Sequence, residues 1–209
     1  MMQLIDAVRD GIRACVRWLA PILNNATHGR ISPNAITIFG LLAHVPIAFL
    51  IATGDYNILA AVLLVIFGLF DTLDGEIARL QKRESARGML LDSATDRIKE
   101  ALLYMGVAYY FTTIGGSAVL SATTVAALGG SMLTSYLNAM GDAIMAKHKT
   151  RQHASNKAFR GGLLSFEIRM TVLMLGLLTG QLEVAVAAIA ILAGYTSLQR
   201  LALISRALA

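Results

Sequence analysis

Four aspartates in one short stretch, Asp71, Asp74, Asp92 and Asp96, are the residues of this chain best suited to chemistry. They lie in DTLDGEIARLQKRESARGMLLDSATD, residues 71–96, between the apolar runs Ile58–Phe70 and Ala101–Phe111. Carboxylates beside membrane-like sequence are costly and functional by default. On one helix Asp71, Asp74, Gly75, Ala78 and Arg79 fall at i, i+3, i+4, i+7 and i+8 and share a face. On a second, Gly88, Asp92 and Asp96 share another. At 1.5 Å per residue, Asp71 lies ~12 Å from Arg79, and Asp96 ~12 Å from Gly88. Antiparallel helices joined by the hairpin Gln81–Arg87 therefore set Asp71 level with Asp96 and bring Asp74 toward Asp92. Four converging carboxylates cannot all ionise without compensating charge. Hard divalent cations meet that need, since Mg²⁺ takes oxygen ligands and bridges carboxylates to substrate phosphates. Gly75, Ala78 and Gly88 remove bulk from the same face, and Arg79 adds a donor fork for phosphate. The implied chemistry is phosphoryl transfer onto or from a lipid.

The elements that position these residues are membrane helices. Of the 209 residues 56% are hydrophobic and 15% charged, with a mean hydropathy of +0.63. A soluble domain is about 45–50% apolar and about 25% charged. Six apolar segments, 33–53, 58–78, 89–112, 118–145, 162–180 and 184–204, approach the ~20 residues that cross a bilayer. The expected fold is an all-α integral membrane protein with six transmembrane helices and an N-terminal interfacial amphipathic helix. Residues 1–31 form the interfacial helix and turn, and 32–209 the membrane domain.

The connections 54–57, 113–117 and 181–183 hold none of the 18 basic residues, which gather at the termini and around 79–87 and 147–160. By the positive-inside rule both termini and the two long loops are cytoplasmic, which places the protein in the cell membrane with its carboxylates on the cytoplasmic side. The net charge of +5 thus serves orientation and lipid contact, and nucleic acid is not expected as a partner. The single Cys15 forms no internal disulfide, and the charged first twenty residues do not read as a cleavable signal.

Residues 3–19 carry Leu4, Ile5, Val8, Ile12, Cys15, Val16 and Leu19 at helical spacing opposite Arg9, Arg13 and Arg17, the pattern of a helix lying on an anionic leaflet. Pro21 is expected to end it. Ser32 reads as an N-cap with Pro33 at the first helical position. His44 lacks a second ligand at i+3 or i+4 and reads as a polar packing residue. Gly129, Gly130, Ser131, Thr134 and Ser135 allow close helix approach in lipid.

The pattern D-x2-D-G-x2-A-R-x8-G-x3-D-x3-D is met by Asp71, Asp74, Gly75, Ala78, Arg79, Gly88, Asp92 and Asp96. Average composition gives such a match on the order of 10⁻¹⁰ per starting position. In this the chain resembles the CDP-alcohol phosphatidyltransferase family, whose members have six spans after an interfacial helix and are usually homodimers. The resemblance implies transfer from a CDP-linked lipid, CDP-diacylglycerol or CDP-archaeol, with CMP leaving. It implies two divalent ions, Mg²⁺ or Mn²⁺, on Asp71, Asp74, Asp92 and Asp96, with Asp96 also the base on the acceptor hydroxyl. Gly75, Ala78, Arg79 and Gly88 would line the nucleotide site, and Pro33, Asn34 and Thr37 match a PN-x2-T element that closes it.

Two local features favour an inositol-phosphate-like or other polar alcohol acceptor over glycerol 3-phosphate. Gly40 stands where the glycerol-phosphate branch usually has Arg, and Asp92-Ser93-Ala94-Thr95-Asp96-Arg97 stands in place of D-P-x-A-D-K. Inositol-phosphate members have a S-Y-x-K-A-R-A-E-like run and then G-x2-E-R-x2-R. Ser135, Tyr136, Ala139 and Arg169 fit these, and Asp142 is a conservative replacement. Asn138 and Met140 replace two basic positions, and Ser165 and Phe166 replace Glu-Arg. Arg151, Lys157, Arg160 and Arg169 are the candidates for binding a phosphorylated acceptor. A cation channel or transporter would instead favour charges near the midplane of broken helices, and a silent scaffold would not need the full set of aspartates.

Overall fold

The computed structural model describes residues 2–147 and 166–208. These form α1 (Met2–Ala26), α2 (Pro33–Thr53), α3 (Asn57–Leu80), α4 (Ala86–Thr113), α5 (Ala118–Lys147), α6 (Phe166–Thr179) and α7 (Leu182–Leu208), with no strand among the described residues. Helix starts sit where the sequence supplies caps. The Ser32 hydroxyl accepts from Ala35 N–H at 3.2 Å, with Pro33 in the first turn of α2. Ser85 accepts from Gly88 N–H at 3.0 Å and starts α4. Gly54, at φ 76°, closes the C-terminus of α2 in the left-handed region.

Among the described residues, four helical stretches are long and apolar enough to cross a membrane: Pro33–Thr53, Asn57–Leu80, Ala118–Ile144 and Leu182–Arg206. Along α2 the large side chains Phe39, Leu42, Val45 and Phe49 project outward, each more than half exposed. A soluble surface does not tolerate such a stripe without a partner; lipid supplies one. α4 and α6 stand where two further spans were expected. They differ from the other four for identifiable reasons. α4 carries Asp92, Asp96, Arg97, Lys99 and Glu100 in its first 15 residues, and the described part of α6 has 14 residues.

The expectation that Pro21 ends the first helix is corrected, because α1 runs through it to Ala26. Proline removes one backbone donor, but packing outweighs that loss here. Val16 and Ala20 are buried in one cluster with Ile36 of α2 and Leu73 and Ile77 of α3, and Leu23 packs on the same cluster. The stripe that docks is therefore Val16–Ala20–Leu23, while Cys15, Trp18 and Leu19 are exposed. Past the helix end, Gln81 Nε2 donates to Asn24 Oδ1 and to Ile31 O, both at 2.9 Å, fastening the end of α3 to the turn before α2.

The main core joins Ile47 and Ile51 of α2, Leu64 of α3, Leu103 and Val107 of α4, Leu173 and Leu177 of α6, and Val186 and Ile189 of α7. α2 and α4 meet most tightly at Gly106, where a Cβ would stand 2.3 Å from Ala48 O. No side chain fits there, so this glycine fixes the separation of the two helices. Gly106→Ala should force them apart and destabilise the fold by about 1–3 kcal/mol or more. The expected readout is a lower melting temperature in detergent; an unchanged one would mean that α2 and α4 do not cross this closely.

Candidate active site

The crossing of α2, α3 and α4 gathers the signature residues at one end of the bundle. Carboxylate oxygens of Asp71, Asp74 and Asp92 all lie within 4.8 Å of one another. Asp74 is buried, and the Thr37 hydroxyl donates to its Oδ2 at 2.5 Å. Gly88 lies opposite Asn34: a Cβ on it would be 3.7 Å from Asn34 Oδ1 and 3.3 Å from Ser85 Oγ. The first turn of α2, opened by Pro33, thus faces both aspartate-bearing helices. Arg79 lies toward solvent and pairs with Glu76 at 2.9 Å. Gly75 lies beside that arginine, with room for a Cβ 3.8 Å from its guanidinium, and Ala78 is half-buried.

Asp96 stands one turn beyond Asp92 and joins the group through a residue the sequence reading had assigned to topology. Lys99, 1% exposed, forms an ion pair with Asp71, and its Nζ lies 3.8 Å from Asp96 Oδ1. The antiparallel register that levels Asp71 with Asp96 is present, with the ammonium between them. Gly40 of α2 lies against it: a Cβ there would be 3.9 Å from Nζ, an ordinary contact. His44 takes no part in the carboxylate group, because its Nδ1 is bonded to Gly40 O at 2.7 Å.

The donor set fits a divalent cation. Asp92 Oδ1 is buried without a hydrogen-bond partner, an arrangement that would be strongly unfavourable unless something else supplies positive charge; Asp96 Oδ1, also without a hydrogen bond, has the Lys99 ammonium 3.8 Å away. Oxygen-only ligation of this kind suits Mg²⁺ or Mn²⁺.

Across the same turns of α4 lies a second feature, an open cavity of about 640 Å³ lined by Ser93, Arg97, Ser135, Phe166, Arg169 and Arg200 among others. Ser93 and Arg97 immediately follow Asp92 and Asp96, so one helix forms a wall of both. Arg169, 1% exposed, makes a two-pronged pair with the fully buried Glu100: Nε to Oε1 at 2.8 Å and Nη2 to Oε2 at 3.0 Å. Arg97 lies 3.6 Å from Glu100, donates to Ser135 Oγ and covers the Phe166 ring at 4.9 Å. Arg200 donates to Thr134 O at 3.1 Å. The Nε–H groups of Arg97 and Arg200 are buried without a partner. Three guanidinium groups line this cavity together with the carboxylate-bearing Asp142, a predominantly cationic set that suits an anion such as a phosphate monoester.

Sequence reasoning placed Arg169 at this end of the protein but missed Arg97, Lys99, Glu100 and Arg200 as members of these clusters. The positive-inside rule had absorbed the cations as surface charge, yet Lys99, Arg169 and Arg200 are all buried. A usable signal existed in the five ionisable residues packed between 92 and 100 of an otherwise apolar span. Arg151, Lys157 and Arg160 lie outside the described residues.

Comparison with known proteins places these features in context. Residues 30–199 match a family model described as CDP-alcohol phosphatidyltransferase. The phosphatidylinositol phosphate synthase of Cutibacterium acnes is 32% identical over 129 residues, 62% of this chain and 62% of that protein. The phosphatidylinositol phosphate synthase of Corynebacterium glutamicum is 31% identical over 179 residues, 82% of this chain and 77% of that protein. Crystal structures of the Mycobacterium tuberculosis phosphatidylinositol phosphate synthase share the fold. The form with CDP-DAG bound gives a TM-score of 0.76 at 25% identity over 88% of this chain and 92% of that one. The form with manganese and citrate gives 0.76 at 24% identity, over 89% and 88%.

Proposed function

Because the chain belongs to the CDP-alcohol phosphatidyltransferase family, we infer that it transfers a phosphatidyl or archaetidyl group from a CDP-linked lipid to a phosphorylated polyol resembling inositol phosphate. The observation that carries this reading is the pairing across α4 of a carboxylate group with a three-arginine cavity. One side suits a diphosphate with its cation, and the other suits the phosphate of an acceptor. The names of the relatives from Cutibacterium and Corynebacterium support the same acceptor.

In this reading Asp71, Asp74, Asp92 and Asp96 form the cation-binding group. A divalent ion, when bound, neutralises the donor diphosphate and improves CMP as a leaving group. Pro33, Asn34, Thr37, Gly75, Ala78, Arg79 and Gly88 line the cytidine nucleotide. Arg97, Arg169 and Arg200 hold the acceptor phosphate and orient its hydroxyl toward Asp96. Asp96 takes the hydroxyl proton as the acceptor oxygen bonds to the lipid-linked phosphorus and the bond from that phosphorus to CMP breaks. Holding both reactants against one rigid helix makes the attack effectively unimolecular.

The same reading places six helices across the cell membrane, with α4 and α6 joining the four apolar ones. Both termini and the site are cytoplasmic, α1 lies along the inner leaflet, and the chain works as a homodimer, with residues 1–31 peripheral to the membrane domain 32–209.

Purified protein supplied with CDP-diacylglycerol, Mg²⁺ or Mn²⁺, and labelled inositol 1-phosphate, inositol, glycerol 3-phosphate or serine tests the acceptor. Product and CMP are expected with inositol 1-phosphate. Product with glycerol 3-phosphate alone would sink the acceptor assignment while leaving the reaction in place.

A further inference from the structure

The two-ion expectation meets an obstacle in Lys99. Three of the four signature carboxylates, from Asp71, Asp74 and Asp92, offer oxygens close enough to share one ion. The remaining pairing, Asp71 with Asp96, already has a cation between its oxygens: the Lys99 ammonium is ion-paired with Asp71 and lies 3.8 Å from Asp96 Oδ1. The lysine is one helical turn past Asp96 on α4, and its side chain is 1% exposed. Gly40 of α2 lies beside it, where a Cβ would stand in ordinary contact 3.9 Å from Nζ. A buried ammonium paired with carboxylates is not readily withdrawn, because leaving would strand both partners in an apolar surround. A dication entering beside it would meet like charge in a medium that screens poorly.

We propose that the Lys99 ammonium stands in for one of the two divalent ions, so that this chain operates with a single ion on Asp71, Asp74 and Asp92. Lys99 is then a positioning residue: it holds Asp71 and Asp96 in place and supplies one fixed positive charge to the carboxylate group. The proposal rests on the transferase reading above for the use of the ion, but its test does not depend on turnover.

Full-length protein in detergent is titrated with Mn²⁺, with free Mn²⁺ read by electron paramagnetic resonance. The wild type is expected to bind one Mn²⁺ tightly per chain. Lys99→Met should bind a second at least tenfold more tightly than the wild type does. Two tight ions in the wild type would overturn the proposal, as would identical titrations of the wild type and a monodisperse Lys99→Met. If that variant does not fold, the wild-type count decides alone. CMP release from CDP-diacylglycerol, measured on the same wild-type preparation, separates the two readings. Release with two tight ions overturns the single-ion proposal only, whereas one tight ion without release with any acceptor supports it and counts against the transferase reading.

Discussion

Asp96→Asn is expected to lower the turnover of CDP-diacylglycerol by about 10²–10⁴-fold, the usual contribution of a positioned base, while binding of the CDP-lipid stays within a few-fold of wild type. The substitution keeps the shape of the side chain and removes its ability to take a proton. In the wild type Asp96 Oδ1 is buried and accepts no hydrogen bond, so no protein donor occupies the lone pairs that a hydroxyl proton would need. In the function proposed above, the contacts that hold the donor nucleotide lie elsewhere, around Asn34, Gly75 and Gly88. CMP release and direct binding of CDP-diacylglycerol are the two measurements. Near wild-type turnover would remove Asp96 as the base and shift attention to another residue on the α4 face.

Arg169→Met is the second large effect, and it is expected first in stability. The substitution leaves the carboxylate of Glu100, 0% exposed, without its two-pronged partner. Breaking a buried pair on one side costs about 3–5 kcal/mol, and replacing both members with apolar groups is often close to neutral. Arg97, 3.6 Å from Glu100, offers partial compensation, so the loss should fall at the lower end. The double variant Glu100→Leu with Arg169→Met should recover most of the melting temperature in detergent. It should still show a raised KM for inositol 1-phosphate, because the cavity has lost one of its guanidinium groups. Recovery of stability with an unchanged KM would make Arg169 a structural residue only.

The contrast between Asp96 and Arg169 shows what a sequence can disclose about such a protein. The aspartates were legible because their partners are local: spacings of three and four residues fix a helix face, and a short hairpin fixes the register of the second helix. The caps at Ser32 and the small residues at Gly75 and Gly88 were legible for the same reason. Lys99, Glu100 and Arg200 were not, because their shortest contacts are with partners distant in sequence. Arg169 bonds a carboxylate 69 residues away, and Arg200 a carbonyl 66 residues away. A charge that pairs across the bundle and one that faces the cytoplasm look alike in a hydropathy window. Pro21 misled for a related reason, since the local rule against proline was outweighed by the docking of Val16, Ala20 and Leu23 on other helices.

The Glu100–Arg169 pair also bears on how the protein is made. The fourth helix leaves the ribosome carrying Glu100 with only Arg97, 3.6 Å away in the folded chain, to offset it, while its two-pronged partner Arg169 lies 69 residues downstream, a delay of about 3–14 s at ordinary synthesis rates of roughly 5–20 residues per second. During that interval the carboxylate is unsuited to hydrocarbon, and the nascent helix has reason to stay beside the insertion machinery. Arrival of the sixth helix supplies the two-pronged cation and completes the pairing. Maturation of the bundle is thereby coupled to completion of the cavity wall, so a chain truncated before Arg169 would be left with a helix poorly suited to either solvent.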